Sequence, residues 1–185
     1  MAYGRLITVS GIDCSGKTTQ IDLLKQHLLS LGHKVETFWY RPGYSRELDW
    51  LRAAVRRVRP TALPTADRKE AREAAFGNPR MRHAWMTMAI ADMIVQYGAK
   101  LRLHLMAGKW VICDRYVHDS LLDLRFRFDG YDRLLDSLSL VLPAATPEPD
   151  LALLLTLPHD VMLTRMAIKN EPFPDAPAVR DRRYA

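Results

Sequence analysis

The feature that most constrains the fold of this chain is a glycine-rich turn between an apolar run and a helical segment. The turn, Gly11-Ile-Asp-Cys-Ser-Gly-Lys-Thr18, has the spacing G-x-x-x-x-G-K-T. It follows the β-branched run 5–10 and precedes residues 17–31, whose apolar side chains recur at helical spacing. Glycines let such a turn curl so that successive N–H groups point at phosphate oxygens, and the next helix presents its positive end to the same anion. The sequence therefore predicts a phosphate-binding loop (P-loop).

The residue types in this loop predict its ligands. Lys17 would place a positive charge on the β- and γ-phosphates, and the hydroxyl of Thr18 suits Mg²⁺. We therefore expect ATP as the phosphoryl donor, with Mg²⁺ as its metal. The predicted ATP-binding residues are Gly11, Cys14, Ser15, Gly16, Lys17, Thr18 and Thr19.

Strands alternate with helices along the rest of the chain. Apolar or β-branched runs predict strands at 5–10, 35–40, 110–113 and 151–157. Helical spacing predicts helices at 17–31, about 81–107, 120–141 and 160–169. This alternation predicts βαβ units and hence a three-layer α/β P-loop fold, with a short parallel sheet flanked by helices.

Proline and leucine patterns refine this expectation. The prolines at 143, 147 and 149 predict a linker, and the leucine-rich strand after it is predicted to be buried on both faces. Residues 44–80 have a less regular pattern and contain Pro60, Pro64 and Pro79. We expect a short helix near 46–58 and a mobile loop there, within a single domain spanning 1–185.

Composition excludes several classes of protein. The chain has two cysteines in 185 residues, so a disulfide framework is excluded and a reducing compartment fits. The first ten residues hold no signal-peptide run, and the longest dense apolar stretch, 151–157, is far shorter than the roughly 20 residues that span a bilayer. The sequence therefore predicts a cytoplasmic protein that does not enter a membrane.

The net charge of +6 fits more than one kind of partner. A positive protein attracts nucleic acid, but also a small polyanion such as a nucleotide. Much of the excess lies in arginines between 52 and 82, which we interpret as a solvated helical face. Small nucleotides are therefore the predicted partners, and nucleic acid is not favoured.

Three further residues carry the predicted chemistry. Asp114 and Arg115 follow the third strand, where an acid can approach Mg²⁺ and a guanidinium can bind phosphate in a bidentate way. Asp13 lies inside the P-loop, where its charge is unfavourable beside a triphosphate. We expect a compensating use for it, such as accepting a hydrogen bond from a sugar hydroxyl of the second substrate.

These motifs, in this order, resemble the thymidylate kinase family of P-loop nucleoside monophosphate kinases. The resemblance covers most of the chain. It rests on the P-loop with its internal acid and on the segments Arg41-Pro42-Gly43, Asp114-Arg115-Tyr116 and Pro149-Asp150-Leu151.

The resemblance implies roles for individual residues. Asp13 would contact the ribose 3′-hydroxyl of the acceptor, Arg41 and Arg115 would hold its phosphate, and Asp92 aligns with an acid of the family's long helix. Lys17, Arg115 and Asp13 are thus the predicted catalytic residues. The P-loop lacks an arginine, so the resemblance implies that a lid over 165–182 supplies the stabilising positive charge. The candidates are Arg165, Lys169, Arg180, Arg182 and the adjacent Arg183.

The chain departs from the family on the acceptor side. Where family members carry a phenylalanine that stacks on thymine and an arginine that contacts the acceptor, this chain has Ala89 and Met93. The family's Ser-Ser-Leu-Ala-Tyr-Gln run is replaced by residues 119–124, and the glutamate of the loop after the second strand is missing. The predicted acceptor is therefore a nucleoside monophosphate, either dTMP or a related nucleotide.

Two alternatives remain open from the sequence. One is a kinase of another acceptor, such as a nucleoside or other small molecule; for a sugar hydroxyl, Asp13 would be the candidate base. The other is a non-enzymatic ATP-binding protein that regulates or binds nucleic acid. A GTPase is excluded, because neither Asn-Lys-x-Asp nor the required Asp-x-x-Gly follows the P-loop. The family also suggests a homodimer, and it continues into a further helix and strand that we expect to be absent from residues 1–185.

Overall fold

The computed structural model of the protein describes residues 3–43, 45, 46, 53, 57, 77–128 and 130–168. Most of the region 44–80 therefore lies outside the described residues. Of the short helix expected near 46–58, Arg46, Ala53 and Arg57 are described, and all three have helical backbone. Within the predicted lid, only residues 165–168 are described.

The described residues form the alternating pattern of strands and helices that the sequence predicts. The strands are β1 (Leu6–Gly11), β2 (Val35–Trp39), β3 (Trp110–Asp114) and β4 (Leu151–Leu155). The longer helices are α1 (Lys17–Ser30), α2 (Pro79–Met93), α3 (Leu101–Met106), α4 (Val117–Arg127), α5 (Asp132–Ala145) and α6 (His159–Ile168). A π-helical segment, Ile94–Lys100, joins α2 to α3, so the predicted long helix at 81–107 is one continuous helical run.

The strands form a parallel sheet in the order β2-β3-β1-β4. In its register Asp114 lies beside Val9 on one side and beside Trp39 on the other. Because all strands run the same way, the P-loop and the ends of β2 and β3 meet at one edge of the sheet. The predicted α/β fold with a short parallel sheet is confirmed.

Helices cover both faces of the sheet. On one face, Ile7, Val9 and Ile112 pack with Ile21 and Leu28 of α1. On the other, a larger cluster joins β2 and β3 to α2 and the helices after it, and its buried members include Leu6, Phe38, Trp85, Met93, Tyr97, Tyr116 and Leu121. Helix α1 ends at Ser30, and Gly32 just beyond it has a φ of +83° and donates its N–H to the Leu29 carbonyl.

The structure corrects the prediction that the fourth strand is buried on both faces. β4 lies at the edge of the described sheet, and Leu151 and Leu154 are 47% and 70% exposed. A run of leucines indicates a buried central strand only if other elements cover both faces. In the described part of the chain, β4 pairs with β1 alone.

Two other boundaries also differ from the prediction. The single helix expected at 120–141 is two helices, α4 and α5, and Gly130 between them has a φ of +85°. Pro143 lies inside α5 rather than in a linker. Across the described ranges, no helix combines the length and the apolar character needed to cross a membrane.

Candidate active site

The P-loop has a backbone that only particular residues adopt without strain. Gly11 and Gly16 have φ values of +150° and +87°, and Cys14 has a φ of +61°. A Cβ on Gly11 would lie 2.3 Å from the carbonyl oxygen of Leu155 in β4. Glycine is therefore required at position 11 both for its conformation and for the close approach of β4.

The side chain of Lys17 is held by hydrogen bonds to the P-loop backbone. Its Nζ donates hydrogen bonds to the carbonyl oxygens of Gly11 (2.9 Å) and Ile12 (2.8 Å). Burial, reinforced by the nearby positive charge of Arg115, lowers the pKa of Lys17. The ammonium group is thus partly stripped of water and held over the turn, where an incoming phosphate would strengthen its charged form.

Asp13 and Arg115, which lie far apart in the chain, meet in an ion pair. Nη2 of Arg115 donates to Oδ1 of Asp13 at 2.8 Å, although 102 positions separate them. Arg115 has a φ of +72°, which is uncommon for a residue with a side chain, and its N–H bonds to the carbonyl of Val9 at 3.0 Å. Burial alone would lower the pKa of Arg115, but carboxylates, Asp123 foremost and then Asp13, raise it above its ordinary value.

Asp114 meets the chemical requirements of a magnesium ligand. Its Oδ1 is buried, and no described group forms a hydrogen bond with it. Burial raises the pKa of this carboxyl, with the charges of Lys17 and Arg115 acting against the rise. A buried carboxylate oxygen without a partner lowers the stability of the fold unless it binds a cation or accepts a hydrogen bond.

Asp114 and Thr18 supply the kind of oxygen donors that Mg²⁺ prefers. Among the described residues, no group of three or more His, Cys, Asp or Glu is placed to hold a metal. Mg²⁺ usually takes one or two carboxylates and completes its shell with water and phosphate oxygens. Asp114 and the hydroxyl of Thr18, which line the same cleft, match that pattern.

A cleft of about 700 Å³ at the carboxyl edge of the sheet brings these groups together. Most of the predicted site residues lie on it. The described lining consists of Asp13, Cys14, Gly16, Lys17, Thr18, Thr19, Trp39, Asp114, Arg115, Arg165 and Ile168.

Four predicted residues lie outside this described lining. Gly11 instead borders a second cavity of about 420 Å³, which is also lined by Asp13 and Arg115. Ser15 is next to the cleft, with a buried hydroxyl that has no hydrogen-bond partner in the described structure. Arg41 is exposed on the loop after β2.

The fourth of these residues, Asp92, is buried and forms hydrogen bonds to the loop after β2. It is 1% exposed, and its Oδ2 accepts a hydrogen bond from the N–H of Gly43 at 3.0 Å. The N–H and the hydroxyl of Ser45 also donate to this carboxylate. Asp92 therefore ties α2 to the loop that carries Arg41, and a direct contact with the acceptor stays a prediction.

On the lid side, Arg165 reaches the P-loop. Its Nη1 donates to the carbonyl oxygen of Cys14 at 3.3 Å, which places α6 against the cleft. The other lid candidates, Lys169, Arg180, Arg182 and Arg183, lie outside the described residues.

Two residues of the site were not identified from the sequence. Asp119 accepts hydrogen bonds from the hydroxyl of Ser10 (2.6 Å) and the N–H of Tyr116 (2.9 Å), and so joins the end of β1 to the start of α4. An acid three residues after the start of a helix is a recognisable capping signal. Trp39 is 67% exposed and lines the cleft, whereas Tyr40 beside it is buried.

Comparison with known proteins identifies the family. The family model described as "Thymidylate kinase" matches residues 9–178. The chain is 29% identical over 170 residues to the thymidylate kinase of Carboxydothermus hydrogenoformans, covering 91% of this chain and 73% of that protein. It is 34% identical over 169 residues to the thymidylate kinase of Syntrophotalea carbinolica, covering 89% and 67%.

Solved structures agree at the level of the fold. The thymidylate kinase of Ehrlichia chaffeensis superposes with a TM-score of 0.54 at 22% identity, over 98% of this chain and 85% of that one. The thymidylate kinase of Candida albicans gives a TM-score of 0.54 at 19% identity, over 88% and 67%. With its P-loop, its acid and guanidinium after β3 and this match over most of its length, the chain belongs to the thymidylate kinase family and is an ATP-dependent kinase.

Proposed function

We propose that this kinase transfers the γ-phosphoryl group of ATP, with Mg²⁺, to a nucleoside monophosphate, either dTMP or a related nucleotide. The observation that carries the proposal is the meeting of Lys17, Asp114 and the Asp13–Arg115 pair at one cleft. These groups would position the two substrates and offset negative charge on the transferred phosphoryl group. Phosphoryl transfer is catalysed mainly by such positioning and electrostatic stabilisation.

In the proposed reaction, a phosphate oxygen of the acceptor forms a bond to the γ-phosphorus as the bond to the β-phosphate oxygen breaks, and ADP leaves. The acceptor phosphate is already ionised, so no general base is needed. Lys17 and Arg115 offset the negative charge on the transferring group. When bound, Mg²⁺ supplies further neutralisation at the β- and γ-phosphates; Thr18 and Asp114 are the residues that would hold it.

Asp13 and Arg165 have supporting roles in this proposal. Asp13 orients the guanidinium of Arg115 and can exchange that contact for a hydroxyl of the acceptor sugar. Arg165 is the lid residue best placed to approach the transferred group, since it already contacts the P-loop carbonyl of Cys14.

One observation supports an acceptor other than dTMP. Ala89 and Met93, which occupy the positions of the family's base-stacking ring and acceptor-binding arginine, are both fully buried. They present neither a ring nor a charge to the cleft, so an acceptor other than dTMP is compatible with the site. The non-enzymatic alternative is not supported, because the family is one of kinases.

The proposal is tested by substituting Lys17. We expect Lys17→Ala to lower ADP release by roughly 100-fold or more, because it removes a charge that acts on the transferring group. The assay would screen dTMP, other nucleoside monophosphates, nucleosides and sugar phosphates with ATP and Mg²⁺.

Lys109→Ala is the matched control, since that ammonium pairs with Glu36 at 3.0 Å and lies outside the described lining of the cleft. It should leave turnover unchanged. Turnover that survives Lys17→Ala, or that requires no phosphate on the acceptor, would contradict the proposed reaction.

A further inference from the structure

The observation that goes beyond the proposed reaction concerns the backbone at Arg115. Its φ of +72° lies in the left-handed region, which residues with a side chain rarely adopt. Among the described residues other than glycine, Cys14 of the P-loop is the one other case. Such a conformation is unfavourable and persists only where surrounding contacts enforce it. The contacts that enforce it at Arg115 therefore indicate what positions the guanidinium.

Two hydrogen bonds fix this conformation, one on each side of the Cα atom of Arg115. The N–H of Arg115 belongs to the peptide unit before Cα and donates to the carbonyl of Val9 at 3.0 Å. The N–H of Tyr116 belongs to the peptide unit after Cα and donates to Oδ2 of Asp119 at 2.9 Å. Because φ and ψ describe how these two planar units are turned about Cα, anchoring both units fixes both angles.

Asp119 is itself bound to the strand that leads into the P-loop. Its Oδ2 also accepts a hydrogen bond from the hydroxyl of Ser10 at 2.6 Å. Ser10 directly follows Val9, so both anchors of Arg115 lead to consecutive residues near the end of β1. One anchor is part of the backbone pairing between strands, and the other depends on a single carboxylate.

We propose that Asp119 is a positioning residue for phosphoryl transfer, which holds the backbone of Arg115 so that its guanidinium is aimed at Asp13 and the cleft. The inference rests on the role proposed for Arg115 in the transfer. Asp119 is not among the described lining residues of the cleft of about 700 Å³, so it acts through Arg115 rather than on the donor phosphates. Its contribution comes from the two hydrogen bonds that Oδ2 accepts, and the acceptor oxygen is the part of the side chain that matters.

The test compares Asp119→Ala, Asp119→Asn and Ser10→Ala, each in the unaltered chain and in an Arg115→Ala background. Asp132→Ala is the matched control, because Asp132 also lies in the first turn of a helix but is 69% exposed and outside the described lining of the cleft. Steady-state kinetics would use ATP, Mg²⁺ and whichever of dTMP, dCMP, dAMP and dGMP is phosphorylated best. Melting temperatures and amide hydrogen exchange at Arg115 and Tyr116 would be measured for each variant.

We expect Asp119→Ala to lower kcat/KM for the acceptor by roughly 10- to 100-fold, the change that corresponds to losing a hydrogen bond to a charged group. KM for ATP should stay within about twofold, because the P-loop and Lys17 are unaltered. Asp119→Asn should keep most of the activity, since an amide oxygen can accept the same two donors. Exchange at the Tyr116 amide should become faster in Asp119→Ala and stay unchanged in Asp132→Ala.

The Arg115→Ala background separates positioning from a general loss of structure. Once the guanidinium is absent there is nothing left for Asp119 to aim, so Asp119→Ala should lower kcat/KM by less than about twofold further. Ser10→Ala removes the link to β1 but leaves the contact between Asp119 and Tyr116. It should lower kcat/KM by roughly 3- to 10-fold in the unaltered chain and have little effect in the Arg115→Ala background, and it decides the question if Asp119→Ala does not fold.

Other outcomes would overturn the proposal. Equal losses with and without the Arg115 side chain would show that Asp119 acts on the fold alone, and unchanged kinetics in Asp119→Ala would remove it from the reaction while the kinase assignment stands. Equal losses in Asp119→Asn and Asp119→Ala would assign the effect to the charge rather than to the hydrogen bonds. If the unaltered chain phosphorylates none of the four nucleotides, the proposed function fails first and this inference fails with it.

Discussion

At the scale of single residues, the site depends on a charge balance that is built from distant parts of the chain. Asp13 would repel a triphosphate if it were alone, yet its carboxylate is bound to Arg115 at 2.8 Å. Asp114 has a buried oxygen without a hydrogen-bond partner in the described structure, and Lys17 is partly desolvated. Each of these buried or partly buried charges lowers stability by itself. Together they form a site in which a bound phosphate and a cation would neutralise them.

The Asp13–Arg115 pair makes a prediction at this scale. Hydrogen bonds to charged groups contribute about 1.5–3 kcal/mol, so we expect Asp13→Asn to lower kcat/KM by roughly 10- to 100-fold. A double-mutant cycle with Arg115→Gln would measure the coupling between the two side chains. Strictly additive losses in the cycle would contradict a functional pair.

At the scale of elements, the loops at the carboxyl edge are held by side chains from the helices below them. Asp119 joins β1 to α4, and Asp92 joins α2 to the loop after β2. A buried carboxylate that accepts several N–H and O–H donors fixes a loop more firmly than packing alone. The strand–loop–helix pattern thus places the site, and these carboxylates hold its loops in position.

The two possible roles of Asp92 give different results for Asp92→Asn. If Asp92 holds the loop, the amide NH₂ meets the donors of Gly43 and Ser45, and the free energy of unfolding should fall by about 1–3 kcal/mol while KM for the acceptor rises. Urea denaturation and kinetics would measure both quantities. Asp136→Asn is the control, because that side chain is 65% exposed and should change stability little.

A higher KM with unchanged stability would instead favour a direct contact between Asp92 and the acceptor. We expect both quantities to change together.

At the scale of the whole molecule, the order of the strands decides which surfaces are covered. β4 joins the sheet through β1 alone in the described chain, and Asp150 fastens its start. This carboxylate accepts the N–H of Leu6 at 2.8 Å and pairs with Arg5. The hydrogen bond from Leu6 is the largest cause that lowers the pKa of Asp150.

A lowered pKa in the folded state implies a defined dependence of stability on pH. The contribution of Asp150 is present above the ordinary aspartate value of 3.8 and is lost as the pH falls below it towards the folded-state pKa. We expect Asp150→Asn to be less stable than the unaltered chain at pH 7, by a difference in the free energy of unfolding that is smaller at pH 3. Urea titrations at the two pH values would measure this, and a difference that is as large at pH 3 as at pH 7 would contradict it.

The sequence alone predicted the P-loop and the α/β alternation that the structure shows, and it singled out Lys17, Thr18, Asp114 and Arg115 as site residues. It could do so because these features are local: glycine spacing, apolar periodicity and the residues that follow a strand are readable without knowing what packs where. Most of the predicted site residues accordingly line the same cleft.

Only the tertiary structure decided which residues become neighbours. In the structure Asp13 forms an ion pair with Arg115, and Asp92 forms a hydrogen bond to the loop after β2. Trp39 lines the cleft, and β4 lies at an edge of the described sheet. An apolar pattern tells which side of a strand or helix avoids water, but not which element covers it, because coverage depends on strand order and on contacts between residues far apart in the chain. For that reason the P-loop and the residues after β3 could be predicted from the sequence, whereas the contacts among them had to be seen in the structure.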